Sequence, residues 1–217
     1  MNGVEVYNVF TNAKRINPVV AFFDVLWSKR SYPELMFALY LQRPDESLKK
    51  WDQALARARL TATGGNDAHA NIGVSLKDSA GKTLLGIQLD PYATSFRLVR
   101  LHVLIEEGKT LDATSLMEAV RAGHCFIGFD FLGDASGFAF EAGGKIQGDE
   151  IALQADTRLR VRSPVPARIV IFRDGSVLTD ESGITSKEVA ISERGVYRTE
   201  IRVENLPWIL SNPIYVK

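Results

Sequence analysis

Thr61-Ala-Thr-Gly-Gly-Asn-Asp-Ala-His-Ala-Asn71 is the stretch on which the reading of this chain turns. Three short residues with β-character run into two glycines, and an acid and an imidazole follow two positions apart. In an extended segment residues i and i+2 point to one side. The spacing therefore predicts that Asp67 and His69 share a face, just past a glycine turn where the backbone bends sharply. A carboxylate and a neutral imidazole on one face are two ready ligands for a divalent metal. Taken alone, the tripeptide is more often a loop-capping aspartate beside a structural histidine, so the flanking sequence has to decide.

Upstream lies a helix pattern that starts near Asp45 to Ser47. Leu48, Trp51, Leu55, Ala58 and Leu60 recur at helical spacing, with Lys49, Lys50, Asp52, Gln53 and Arg57 on the other face. It leads into a strand over 60–63 and then the glycines. Helix, strand, then polar residues at the strand's carboxyl end is the grammar of a barrel or open parallel sheet, where active-site groups gather. Earlier still, Gly3-Val-Glu-Val-Tyr-Asn8 reads as a strand. The apolar segment 18–30 reads as a buried helix. Pro33 suits the first turn of another, with Leu35, Met36, Leu39, Tyr40 and Leu41 inside, and Pro44 stops it.

Downstream, Gly73, Gly81, Gly86 and Pro91 break 72–95 into a long loop with one or two short strands. Residues 96–105 alternate as a strand. A short helix spans 112–122, with Leu116, Met117, Ala119 and Val120 inside, Asp112 as N-cap and Gly123 at its end. A further apolar strand covers 125–131. From about Gly133 the helical period vanishes and short alternating strands take over, at 138–140, 151–153, 159–161, 169–172, 189–191 and 197–203. Arg173-Asp-Gly-Ser176 between apolar pairs is a hairpin signal. This grammar predicts a β-sandwich of roughly 80 residues. The expected organisation is an α/β part over 1–132 and an all-β sandwich over 133–217, packed together without a linker.

Composition narrows the function. The 217 residues are 46% hydrophobic and 24% charged, enough to bury a core, and 26 basic side chains balance 26 acidic ones. A net charge of zero argues against sequence-wide attraction to nucleic acid or to an anionic membrane. Cys125 is the one cysteine, so no intrachain disulfide forms; this fits a reducing compartment and slightly favours the cytoplasm. No apolar run approaches the roughly 18–20 residues that span a bilayer. The chain also opens directly on a strand, as though cut from something longer.

The Gly-Gly-Asn-Asp-Ala-His stretch resembles the last metal-binding motif of the PHP (polymerase and histidinol phosphatase) family, in which a barrel strand ends in glycine followed by Ser/Asn-Asp-x-His. Gly3-Val-Glu-Val-Tyr-Asn8 resembles the family strand one αβ unit earlier, and Trp51-Asp52 with Leu55 the helix before the motif. Leu116-Met-Glu-Ala-Val-Arg-Ala-Gly-His-Cys-Phe-Ile127 is similar to the helix-glycine-strand that follows it. Pro207-Trp-Ile-Leu-Ser-Asn-Pro-Ile-Tyr-Val216 is similar to the tail of two-domain members with a carboxyl-terminal β-sandwich. The resemblance implies a partial distorted (β/α)7-type barrel followed by the sandwich. It implies metal-dependent hydrolysis of phosphate esters with zinc, manganese or iron, and a small phosphate or other ester as substrate. By that resemblance Asp67 and His69 are metal ligands. Glu5, at a strand end, lies near the site behind the ligands. Asn66 is a turn residue that can orient a ligand.

The departure from the family is equally plain. Its His-x-His and further His, Asp and Glu ligands have no match here, since His69, His102 and His124 are the histidines present. The expectation is the carboxyl-terminal part of such a hydrolase, inactive alone; the alternative is a non-catalytic barrel remnant whose sandwich binds a partner. His102, His124 and the small buried Cys125 read as structural. A partial barrel leaves strand edges bare, which predicts a homo-oligomer, a partnering amino-terminal half, or coverage by the 72–95 loop.

Overall fold

This computed structural model describes residues 3–12, 41–69, 73–77, 79–88 and 91–217, and apolar residues at helical spacing form the first long helix among them. The helices expected over 18–30 and from Pro33 lie outside the described residues. Strand β1 (Gly3–Asn8) and a helical turn α1 (Val9–Asn12) precede helix α2 (Asp45–Leu55). Asp45 and Glu46 occupy the first turn of α2, where the helix dipole favours acids. Leu48, Trp51 and Leu55 are buried on one side. The helix stops before the expected Leu60. Trp51 donates its indole N–H to the Leu60 carbonyl at 3.2 Å, so the chain folds back under the helix. Strand β2 (Thr61–Gly65) then pairs in parallel with β1, Glu5 opposite Thr63 and Asn8 opposite Gly65. Parallel strands need a crossover, and α2 lies in it.

The glycine-broken region holds a hairpin, β3 (Gly73–Lys77) and β4 (Thr83–Gln88), in the place where one or two short strands are expected. A helical turn, α3 (Tyr92–Ser95), shortens the next strand to β5 (Arg100–Val103). Helix α4 (Ala113–Ala122) begins on a capping box between Asp112 and Ser115 and ends on Gly123, whose φ of +82° is the left-handed conformation that glycine adopts without strain. Ala119 and Val120 face inward, but Leu116 and Met117, expected inside, are each 38% exposed. Strand β6 (Cys125–Gly128) pairs antiparallel with β5, so α4 does not carry another parallel crossover. Among the described residues β1 and β2 are the strands that pair in parallel beside α2, and no closed barrel forms.

The rest of the chain is β-rich. Strands β7 (Ala139–Ala142), β8 (Lys145–Ile146), β9 (Glu150–Ile151), β10 (Arg158–Arg173), β11 (Ser176–Ala190), β12 (Gly195–Val203), β13 (Leu206–Ser211) and β14 (Ile214–Val216) join β5 and β6 in one ten-stranded sheet. The segments 159–161 and 169–172, expected as two strands, are one. Pro164 and Pro166 sit in a register break between Arg162 and Ala167 that interrupts the ladder without ending the strand. Asp174 (φ +49°) and Gly175 (φ +80°) make the expected two-residue hairpin turn. The sheet crosses the 132/133 boundary, because β6 hydrogen-bonds to β13.

The sheet curls around a core that includes Phe140, Leu159, Ile169, Ile171, Tyr197, Ile201 and Trp208. A second core forms from β1, α2 and β2 through Val6, Tyr7, Leu48, Trp51 and Ala62. Strands β6, β13 and β14 serve both. Phe126, Ile209 and Ile214 enter the first core, while their neighbours Ile127, Leu210 and Tyr215 enter the second, as the two-residue period of a strand requires.

Polar ties lock the two cores together. Asn212, 1% exposed, accepts from Ala62 N–H at 2.7 Å and donates to the Ala62 carbonyl at 3.1 Å and the Cys125 carbonyl at 2.9 Å. Arg198 of β12 makes two parallel bonds to Asp52 of α2, at 2.7 and 2.8 Å. Beside it Glu200, fully buried, receives bonds from Arg43, Arg198 and Arg202 at 2.6 to 3.1 Å. Burial alone would raise the Glu200 pKa. The three guanidiniums override it and hold the carboxylate down at about 2.

Replacing Glu200 by alanine leaves buried arginines without their anion. It is expected to cost about 3–5 kcal/mol, read as a lower urea midpoint. The folded-state pKa is depressed, so the Glu200 contribution is complete above its unfolded value of 4.5 and is lost as pH falls toward about 2. Wild-type stability measured through that window is expected to fall more steeply than that of Glu200→Gln.

Candidate functional site

The parallel pair β1–β2 ends on one side in the residues singled out from sequence. Gly65 matters there because Glu5 lies across it: a Cβ at position 65 would stand 2.6 Å from Glu5 Oε1. The other Glu5 oxygen accepts from the Asn8 side-chain amide at 3.3 Å. Gly64 is tight for a different reason, since a Cβ there would meet Ile127 at 2.9 Å. The two glycines thus let β2 approach β6 on one side and Glu5 on the other.

Asn66 is committed to the fold. Its amide donates to the Val99 carbonyl at 2.8 Å and accepts from Val99 N–H at 3.0 Å. This reciprocal pair mimics a strand rung and fixes the end of β2 against the chain entering β5. Asp67 follows with φ +48°, a conformation that aspartate tolerates better than most residues. That turn, rather than an extended segment, brings Asp67 and His69 together. His69 Nδ1 lies 2.6 Å from the Asp67 carbonyl and 3.6 Å from Asp67 Oδ1. With the Nδ1 proton given to a carbonyl, the lone pair resides on Nε2, the arrangement in which histidines bind metals. The side chains are 42% and 59% exposed.

These residues do not amount to a complete metal centre. Among the described residues no three of His, Cys, Asp and Glu come together in a group able to hold a metal ion. Asp67 and His69 are two donors. Glu5 is near the end of the same strands but outside such a group, and Asn66 spends both amide atoms on backbone. No hydrolytic step can be derived through a metal from these residues alone.

The other histidines are held by carboxylates. His102 Nε2 is 2.9 and 3.0 Å from the two oxygens of Asp130, which also accepts from Arg100 at 3.2 Å. The His102 ring lies flat on Phe126 at 4.7 Å. Gly128 makes room for this pair, since a Cβ there would stand 2.7 Å from both. His124, read as structural, meets Asp149 Oδ1 at 3.0 Å. Cys125 is buried, and burial pushes its thiol up to about 12, so it is no nucleophile near neutral pH. Tyr7, buried edge-on against Phe129 at 4.6 Å, is raised above the ordinary tyrosine range by burial. Sequence reasoning missed the Arg43–Asp52–Arg198–Glu200 cluster, and the signal for it is weak: charges at every second position of 198–202 read as a solvent face.

The geometry separates the roles of Asn66 and Gly65. Asn66→Ala unpairs both Val99 backbone groups and is expected to cost about 1–3 kcal/mol in denaturant unfolding. Gly65→Ala displaces one carboxylate and is expected to leave stability within about 1 kcal/mol, while a crystal structure shows Glu5 moved off the strand end.

No protein-family model matches the chain, and no curated protein does. Among solved structures, the sulfur carrier protein SoxY from Chlorobium limicola f thiosulfatophilum is similar over 38% of this chain and 81% of that one, at 10% identity and a TM-score of 0.28. A likeness that slight carries no argument about fold family or activity. Among the described residues no helix is long and apolar enough to cross a membrane.

Proposed function

We propose that the chain is the carboxyl-terminal part of a PHP-type metal-dependent phosphoesterase, contributing the last metal-ligand pair and inactive by itself. The observation behind this reading is the parallel β1–β2 pair. At its carboxyl end Glu5 lies against Gly65 and Asp67 lies beside His69, and strand carboxyl ends are where αβ folds place their chemistry. A divalent ion held there with further ligands from outside the described residues would supply a bound water ionised near neutral pH. This chain's own part is to offer one carboxylate and one imidazole on a strand end braced by Asn66. Zinc, manganese and iron all suit a mixed nitrogen and oxygen set. The substrate would be a small phosphate or other ester.

The second reading is a non-catalytic module, favoured by the exposed two-donor pair and by the commitment of Asn66 to backbone. Metal binding separates them. Under the first reading the purified chain takes up Mn2+ or Zn2+ weakly in calorimetric titration, and Asp67→Ala or His69→Ala removes that uptake. It shows no metal-dependent hydrolysis of p-nitrophenyl phosphate above buffer. Metal uptake unchanged by both substitutions sinks the hydrolase reading in favour of the binding module. Hydrolysis that His69→Ala abolishes would instead overturn its claim of inactivity.

A further inference from the structure

A cleft whose lining includes neither Asp67 nor His69 lies between α2 and the β10–β11 turn. It has a volume of about 850 Å3, within the range of small-molecule clefts. Its floor is the buried ion cluster, where Arg43 and Arg198 flank Phe172 with guanidinium carbons 5.8 and 4.1 Å from the ring centre. Every acid in its lining is already engaged. Asp45 pairs with Arg43, Asp52 is held twice by Arg198, and Asp174 accepts from Val196 N–H at 2.9 Å.

The cations on the α2 wall are not engaged in the same way. Lys49 and Arg57 line the cleft, both are exposed, and neither has a carboxylate partner among the described residues. Gln53 lies between them on α2, and Arg57 follows two residues past the helix end, in a turn that the Ala58 N–H closes on the Ala54 carbonyl at 3.0 Å. Continued at helical rise, eight residues set the two backbone positions about 12 Å apart. On β10, by contrast, Arg158 and Arg160 pair with Glu188, and Arg168 with Asp180. Two uncompensated cations therefore face one cleft whose acids are all spoken for.

We propose that this cleft binds a small organic anion with two separated phosphate groups, one held by Lys49 and the other by Arg57, with Gln53 bonding the atoms between. Arginine takes a phosphate with two parallel N–H bonds and lysine takes it as a point charge. The inference is independent of the metal reading, and its test requires no metal.

The test is calorimetric titration of the full chain at low ionic strength with a hexose bisphosphate and, separately, with inorganic phosphate. Saturable binding of the bisphosphate is expected in the ~0.1–1 mM range, with inorganic phosphate at least about tenfold weaker. The double variant Lys49→Gln, Arg57→Gln should lose about tenfold or more, and Lys49→Arg, Arg57→Lys should retain binding. Arg158→Gln, Arg160→Gln, at the other end of β10 from Phe172, should match wild type, and an unchanged thermal midpoint shows that each variant is folded. The proposal is overturned if the double glutamine variant binds like wild type, if no saturable binding occurs, or if inorganic phosphate binds as tightly as the bisphosphate.

Discussion

Three strands that are apolar on both faces hold this molecule together. A strand with one wet face alternates apolar and polar residues. One buried on both sides reads as a continuous apolar run. Ile127 and Phe126, Leu210 and Ile209, Tyr215 and Ile214 are neighbours that enter opposite cores. Neither core is complete without them. The curled sheet would expose Ile127, Leu210 and Tyr215 if α2, β1 and β2 were absent, and the β1–α2–β2 unit would have no apolar floor. Two-stranded pieces are marginal alone, so β1–β2 borrows its stability from β6, β13 and β14.

Apolar burial is non-directional and does not by itself choose how the first unit is placed on the sheet. The polar ties do. Asn212 grips both backbone groups of Ala62, so β2 can dock in one register only. Asp52 and Arg198 fix α2 in the same way through two parallel bonds. Breaking a buried tie of this kind leaves desolvated groups unpaired, which penalises alternative dockings more heavily than it rewards the native one.

Much of this was legible in the sequence, and what was not has local causes. Helix α2, the Asp112 cap, the Gly123 terminus and the Asp174-Gly175 turn follow from short-range chemistry and stand where the residues place them. Alternation marks two segments where β10 is one strand, because Pro164 and Pro166 occupy an irregularity that β11 spans. Leu116 and Met117 have the right period but the wrong phase, and only tertiary packing reveals that Ala119 and Val120 form the inner face. Arg198, Glu200 and Arg202 alternate like a solvated strand face, yet a helix 146 positions away in sequence covers them. In the candidate site, the proximity of Asp67 and His69 was anticipated from spacing, but it arises from a left-handed turn at Asp67. The part played by Asn66 was hidden because its partner, Val99, is 33 residues distant.

The site inherits a consequence from this arrangement. Its base is rigid: Gly64 packs on Ile127, Asn66 is stitched to Val99, and β2 is clamped by Asn212. Its working end is not enclosed, since Asp67 and His69 project from the strand end with much of their surface in water. A preorganised ligand pair needs a fixed base more than a closed roof, because a misplacement of about 1 Å already degrades a site. Among the described residues the exposed side lacks the further donors that, on the proposed reading, would make the pair into a metal centre. On the proposed reading, further donors would come from the side of β1 and β2 that β6, β13 and β14 do not fill.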